Sequence, residues 1–245
     1  MRQARRLGGW QRLGPALWQP WSGALLGLLC LAALVVAGCG GSSTLTAATL
    51  LQRAQTTFNK TQTFHFVMTS AHLGANDPQP IISAVGDVQR PDRLQATANT
   101  TLAGFNLQVR LVVIGQQAWL DPGIGGFQPN DEYASFLTIF DPQQGVGSAL
   151  VNMQHPSAPQ ESSSGGTACW KISGQVSTSV VAAVVNGTVL ANQAVPATVC
   201  IGKADKQLYS VMLTGAITQT DSAQTVRTFT LSKFNQSLTI LAPSD

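Results

Sequence analysis

The chain has 245 residues, of which 44% are hydrophobic and only 10% charged, with a formal net charge of +3. Four of its fourteen Lys and Arg, and none of its eleven Asp and Glu, precede Cys39, so the remainder carries ten basic against eleven acidic groups. That near-neutral balance excludes a nucleic-acid footprint, and the 207 residues from Cys39 onward suit one large domain with a substantial core.

The first 38 residues read as a secretory leader. Arg2, Arg5, Arg6 and Arg12 form a basic head, and no charge follows from Leu13 to Gly38. The apolar run Ala24–Ala37 has 14 residues, short of the roughly 20 that span a bilayer. Val36-Ala37-Gly38-Cys39 looks like a lipobox, where a bacterial prolipoprotein receives diacylglycerol on its Cys thiol before cleavage. We therefore expect Cys39 to be acylated and to anchor the protein on the extracytoplasmic face of the cell membrane, with 39–45 as a tether and 46–245 as a single domain. Cys30 leaves with the leader, so Cys169 and Cys200 remain, and an even pair in an exported chain reads as a disulfide.

Beyond the tether, Leu50, Leu51, Ala54 and Phe58 recur at helical spacing, predicting an amphipathic helix over 46–59. The period then changes to two. Phe64, Phe66 and Met68 share one face of a strand at 63–70, and further strands are expected at 81–89 and 93–101. In 105–114, Phe105, Leu107, Val109, Leu111 and Val113 point one way, and the closing LVVI is apolar on both faces. A short strand at 118–120 enters a Pro/Gly turn, and two short helices are expected at 133–140 and 146–153, the second including Leu150. Residues 154–166 (QHPSAPQESSSGG) read as a polar, mobile loop. A strand at 168–173 and a helix at 177–185, with Val181, Val184 and Val185 on its apolar side, come next. Strands at 197–201, 207–213, 225–233 and 237–241 complete the chain. Strands outnumber helices and mostly adjoin, which predicts an α+β fold: an antiparallel sheet with a few helices on one face.

No catalytic constellation is evident. His65, His72 and His155 sit in unlike contexts, and HExxH, GxSxG, GxxxxGK[ST] and a strand-following GxGxxG are all missing. Gly145-Val-Gly147-Ser148-Ala149 lacks the closing glycine of a nucleophile elbow and reads as a helix start capped by Ser. Asp131 and Glu132 are adjacent and cannot face one substrate together. Neither remaining cysteine has a histidine near it, so no metal or cofactor is expected. What stands out is apolar surface, and periodicity alone does not separate a filled core from a hollow one.

The second half resembles a known family. Cys169-Trp-Lys-Ile-Ser-Gly-Gln-Val, then Val195-Pro-Ala-Thr-Val-Cys-Ile, Gln207-Leu208 and Thr230-Leu-Ser-Lys-Phe are together similar to the LppX/LprAFG lipoproteins of mycobacteria and their relatives. Phe140-Asp141-Pro142-Gln-Gln-Gly145-Val-Gly147 and Trp119-Leu120-Asp121-Pro122 resemble its Asp-Pro-x-x-Gly segment and its short strand ending in an acidic turn. The 154–166 loop and the Cys169/Cys200 pair depart from the pattern. The resemblance implies a strongly curved antiparallel sheet, a half-barrel, with helices covering its concave face around an apolar cavity. It implies a carrier of the acyl chains of a lipid or glycolipid across the envelope, working beside a membrane lipid exporter. The cavity candidates are Phe64, Phe66, Met68, Phe105, Leu107, Val109, Leu111, Val113, Leu150, Val181, Val184 and Val185. Two other classes fit the same residues: a chaperone or envelope-stress sensor binding acylated protein, and an enzyme with a scattered site.

Overall fold

The computed structural model describes residues 45–244 apart from 76, 78, 79, 103, 144, 186 and 187. The expected leader and Cys39 lie outside the described residues. Leu45–Asp245 forms one compact unit.

An antiparallel sheet of eleven strands dominates it, in the order β6-β5-β4-β3-β2-β1-β11-β10-β9-β8-β7, and the sheet does not close. The first half is a meander of β1 (Thr63–Ala71), β2 (Ile81–Gln89), β3 (Arg93–Leu102), β4 (Phe105–Ile114), β5 (Gln117–Asp121) and β6 (Gln128–Pro129). The second comprises β7 (Gln160–Ser164), β8 (Thr167–Ser177), β9 (Ala194–Gly202), β10 (Leu208–Thr214) and β11 (Val226–Ser232). The halves join where β1 pairs with β11, Phe66 opposite Leu231 and Met68 opposite Phe229. Both edges are unsuited to further pairing, since β6 is two residues ending in Pro129 and β7 is the polar QESSS.

Among the described residues three helical segments, besides a short 3₁₀ turn at Ala182–Val184, accompany the sheet. α1 (Ala47–Lys60) starts on Thr46, whose side chain accepts from the Thr49 amide, and buries Leu50, Leu51, Ala54 and Phe58 against β9 and β10. A 3₁₀ helix, Asp131–Phe140, packs on β4 and β5, and the single turn α2 (Ala149–Asn152) packs on β8 and α1.

Several expectations need correction. The 154–166 stretch is not wholly a loop: Gly165 and Gly166 take φ of +54° and +82°, as a two-residue type I′ turn requires, and fold β7 onto β8. The helix expected at 177–185 shrinks to a 3₁₀ turn at Ala182–Val184. Its run of β-branched valines disfavours a helix, and the Thr178 hydroxyl donates instead to the Leu190 and Gln193 carbonyls. The segment 146–153 is helical only over Ala149–Asn152. Residues 237–241 form no strand, because Lys233 and Asn235 at positive φ turn the chain away from the sheet. Side chains then hold that segment: the Ile240 amide donates to Gln89 Oε1 and Arg93 Nη1 donates to the Ile240 carbonyl.

Two links secure the second half. Cys169 and Cys200 are joined by a disulfide, with Cα atoms 5.6 Å apart on adjacent strands and a sequence separation of 31. Asp221 and Arg227 form an almost fully buried pair. Arg227 donates from both terminal nitrogens, at 3.0 and 2.6 Å, and the Ile217 and Thr218 amides donate to the same carboxylate. Burial works to raise the Asp221 carboxyl, but the bonds from Arg227 and the two amides hold it below the usual carboxylate range.

Closing a loop of about 30 residues contributes roughly 3–4 kcal/mol, and 1 kcal/mol shifts the melting temperature of a domain this size by roughly 2–4 °C. Reduction should therefore lower Tm by roughly 6–16 °C in a calorimetric scan, and two alkylatable thiols in the unreduced protein would contradict the bond. Asp221→Asn should cost roughly 3–5 kcal/mol in denaturant melts, since it leaves Arg227 buried without its partner. A carboxyl depressed in the folded state adds stability above its unfolded value near ~3.9, and that stability is lost as pH falls through the folded value. Wild-type stability should fall on acidification below about pH 4, and this component should be missing from Asp221→Asn when the two are titrated side by side.

Candidate functional site

The side of the sheet that meets the helical segments is ordered in rows. Leu120, Leu111, Ala96, Gly86, Phe66 and Leu231 lie in register across six strands, as do Val109, Ala98, Ala84, Met68, Phe229 and Val211. The β2 and β3 members are the smallest. A Cβ on Gly86 would lie 2.9 Å from the Phe66 ring and 2.2 Å from the Gln95 carbonyl oxygen, so that position admits only glycine.

Above these small residues lies an apolar pocket of about 260 Å³. Ala84, Ala96 and Ala98 line it from the sheet, while the large side chains of the rows stand around them. The facing wall is the 3₁₀ helix, whose three-residue period stacks Tyr133, Phe136 and Ile139 on one side. The Tyr133 and Phe136 rings are stacked nearly parallel, with centroids 5.7 Å apart. Phe140 closes the inner end, 4.5 Å from the Phe66 ring and 6.4 Å from Phe229, in contacts typical of packed aromatics. Phe66, Leu94, Phe140 and Phe229 are buried, whereas Ile81, Leu107, Val109 and Tyr133 are only half-buried. The pocket therefore opens toward the end of the sheet where β1 finishes and β2 begins.

Arg90 holds this arrangement in place. From the turn after β2 it donates to the carbonyls of Phe58 and Thr61 at the end of α1, and to that of Phe140 at the end of the 3₁₀ helix. Its guanidinium lies 4.3 Å from the centroid of the Phe58 ring. Burial lowers its pKa to about 10, with the Asp141 charge acting against the shift, so it stays protonated at neutral pH. On the other side of the 3₁₀ helix is a larger cleft, about 770 Å³, walled by Arg90, Asp131, Glu132, Asp141 and Gln62. Its charged lining suits water. The smaller pocket is the better candidate for an apolar guest, although it is slightly below the roughly 300–1,000 Å³ usual for ligand sites.

The structure brings together Phe66, Met68, Leu107, Val109, Leu111 and Val184 on the pocket wall. Phe64, Val113, Leu150 and Val181 are buried in the core away from it, and Val185 is half-buried beside that core. Phe105 is 73% exposed: it is the first residue of β4, at the β3–β4 turn. The alanines and the 3₁₀ helix were missed as site residues. Small side chains at every second position of β2 and β3 were a readable signal for a hollow.

Among the described residues no group of three His, Cys, Asp or Glu side chains could hold a metal ion, and no helix is long and apolar enough to cross a membrane.

The crystal structure of LprF from Mycobacterium bovis superposes with a TM-score of 0.64 at 19% identity, covering 81% of this chain and 97% of LprF. The crystal structure of the lipoprotein LppX from Mycobacterium tuberculosis gives 0.57 at 18% identity, covering 79% and 97%. No curated protein is significantly similar to the chain in sequence. The LppX/LprAFG lipoprotein family model matches residues 46–240, and the chain belongs to that family.

Proposed function

We propose that the protein binds the acyl chains of a lipid or glycolipid in the pocket beneath the 3₁₀ helix and carries them across the cell envelope. It does so without catalysis, tethered to the membrane through acylated Cys39. In this reading residues 1–38 are a leader, 39–45 the anchor and tether, and 46–245 the carrier domain, which receives or delivers its load beside a membrane lipid exporter. The carrying observation is the hollow above Ala84, Ala96 and Ala98, enclosed by aliphatic and aromatic side chains in a chain that belongs to a lipoprotein family. Each methylene moved from water into such a site gains roughly 0.8 kcal/mol. A long chain therefore does not diffuse freely through an aqueous layer, and a shuttle with a dry pocket overcomes that barrier. The 3₁₀ helix and α1 act as the cover of the sheet, and a guest larger than the pocket is accommodated by displacement of that cover.

Ala98→Phe tests the pocket, because Ala98 lies mid-row between Val109 and Ala84. In a filled core the added ring would overpack and cost more than the ~1–3 kcal/mol of smaller insertions. Placed in a hollow, it should leave Tm within a few degrees and reduce the lipid that co-purifies with residues 40–245 several-fold, as counted by mass spectrometry of the organic extract. A wild-type protein without lipid, together with a collapsed variant, would overturn the reading. Acylated protein in the extract would instead favour a chaperone.

Cys39→Ala should abolish the anchor. Two or more acyl chains give lasting attachment where one is marginal, so the variant should leave the membrane fraction or remain an uncleaved precursor. Unchanged maturation and fractionation would rule out the lipobox.

A further inference from the structure

The two most exposed large apolar side chains of the described residues are Ile124, at 86%, and Phe105, at 73%. They stand at the same end of the sheet. β5 runs back along β4 from Gln117 opposite Ile114 to Asp121 opposite Arg110, so the following loop, 122–127, continues toward the β3–β4 turn. A Cβ on Gly123 would lie 3.3 Å from the Gln108 carbonyl oxygen, which places the loop against β4 just before Ile124. This is also the end at which the pocket opens: Leu107 and Pro122, each two residues along the chain from one of the tips, line it.

Charge is distributed unequally between the two ends. The connections at the pocket end (72–80, 103–104, 122–127, 178–193 and 215–225) contain Asp77 and Asp221 and no Lys or Arg, and Asp221 is buried against Arg227. The connections at the other end contain Arg90, Asp92, Lys203, Asp205, Lys206 and Lys233. Apolar tips on connections without Lys or Arg, where the Arg110 guanidinium that faces the Phe127 ring is paired with Asp121, suit the hydrocarbon of a bilayer more than its anionic headgroups. The stretch from Cys39 to Leu45 spans at most about 20 Å when extended, so an acylated Cys39 keeps a bilayer within reach and raises its effective concentration.

We propose that Phe105 and Ile124 form a docking lip that inserts into the lipid bilayer, so that acyl chains pass between membrane and pocket without crossing water. This rests on the lipid-binding reading above. The test uses residues 40–245, which hold the whole compact unit and match 97% of the LprF chain that was crystallised. Its probes are 11-dansylaminoundecanoic acid for binding and a fluorescent phospholipid moving between phosphatidylcholine vesicles for transfer. Phe105→Ser/Ile124→Ser should keep the wild-type Tm and bind the dansyl probe within twofold, yet transfer phospholipid at least tenfold more slowly. Ile124→Ser alone, on a glycine-flanked loop, should show a smaller loss in the same direction. Wild-type transfer should persist in 1 M salt, since apolar insertion is not screened. Transfer by the double variant at the wild-type rate overturns the lip and leaves the carrier standing, as does a wild-type rate that collapses in salt. A wild type that binds the probe but moves no lipid between protein-free vesicles also overturns the lip. A wild type that binds no probe removes the carrier reading, and the lip with it.

Discussion

The Arg90 guanidinium, set over the Phe58 ring and donating to the carbonyls of Phe58, Thr61 and Phe140, ties the ends of two helical segments to the turn after β2. Those carbonyls lie where α1 and the 3₁₀ helix run out of internal donors, so a fixed, forked cation satisfies several orphan acceptors at once. The charge is tolerated because Asp141 and the aromatic face offset part of its desolvation. With its C-terminal end held, the 3₁₀ helix faces Ala84, Ala96 and Ala98 across the pocket through Tyr133, Phe136 and Ile139.

That separation matters because protein interiors otherwise close up to near-crystalline density. A sheet whose inward rows run Phe66, Gly86, Ala96, Leu111 has large walls and a low floor. The volume lost at the two small positions is not recovered by a rigid neighbour, since the facing helix is pinned at its end and its three-residue period presents flat aromatic rings. On the proposed reading an acyl chain supplies the missing packing, and the protein gains stability from its load.

The halves of the sheet depend on distant parts of the chain. β1 and β11 pair across more than 150 residues, and the Phe140 ring touches Phe64 and Phe66 on one strand and Phe229 on the other. The disulfide and the Asp221–Arg227 pair stiffen β7–β11, while the pocket lies mostly on the β1–β5 side, where neither link reaches. Rigidity and hollow are thus kept apart.

Local pattern alone determined the helix at Leu50, Leu51, Ala54 and Phe58, the alternation of β1 and β4, and the predominance of adjoining antiparallel strands, because each is a periodicity carried within ten or so residues. The cysteine count likewise anticipated the bond between Cys169 and Cys200. Other features were decided only by the tertiary structure. The polar stretch at 160–164 became a strand because a Gly-Gly turn brought it against β8, and Val181 and Val184 were buried without forming an α-helix. Phe105 and Leu107 share one face and one alternation, yet one is exposed at the pocket end and the other lines the pocket. Side-chain period assigns a face, whereas exposure depends on whether another segment packs on that face, and the side chains that line the pocket opposite β4 come from residues 133–140, a pairing that no local pattern specifies.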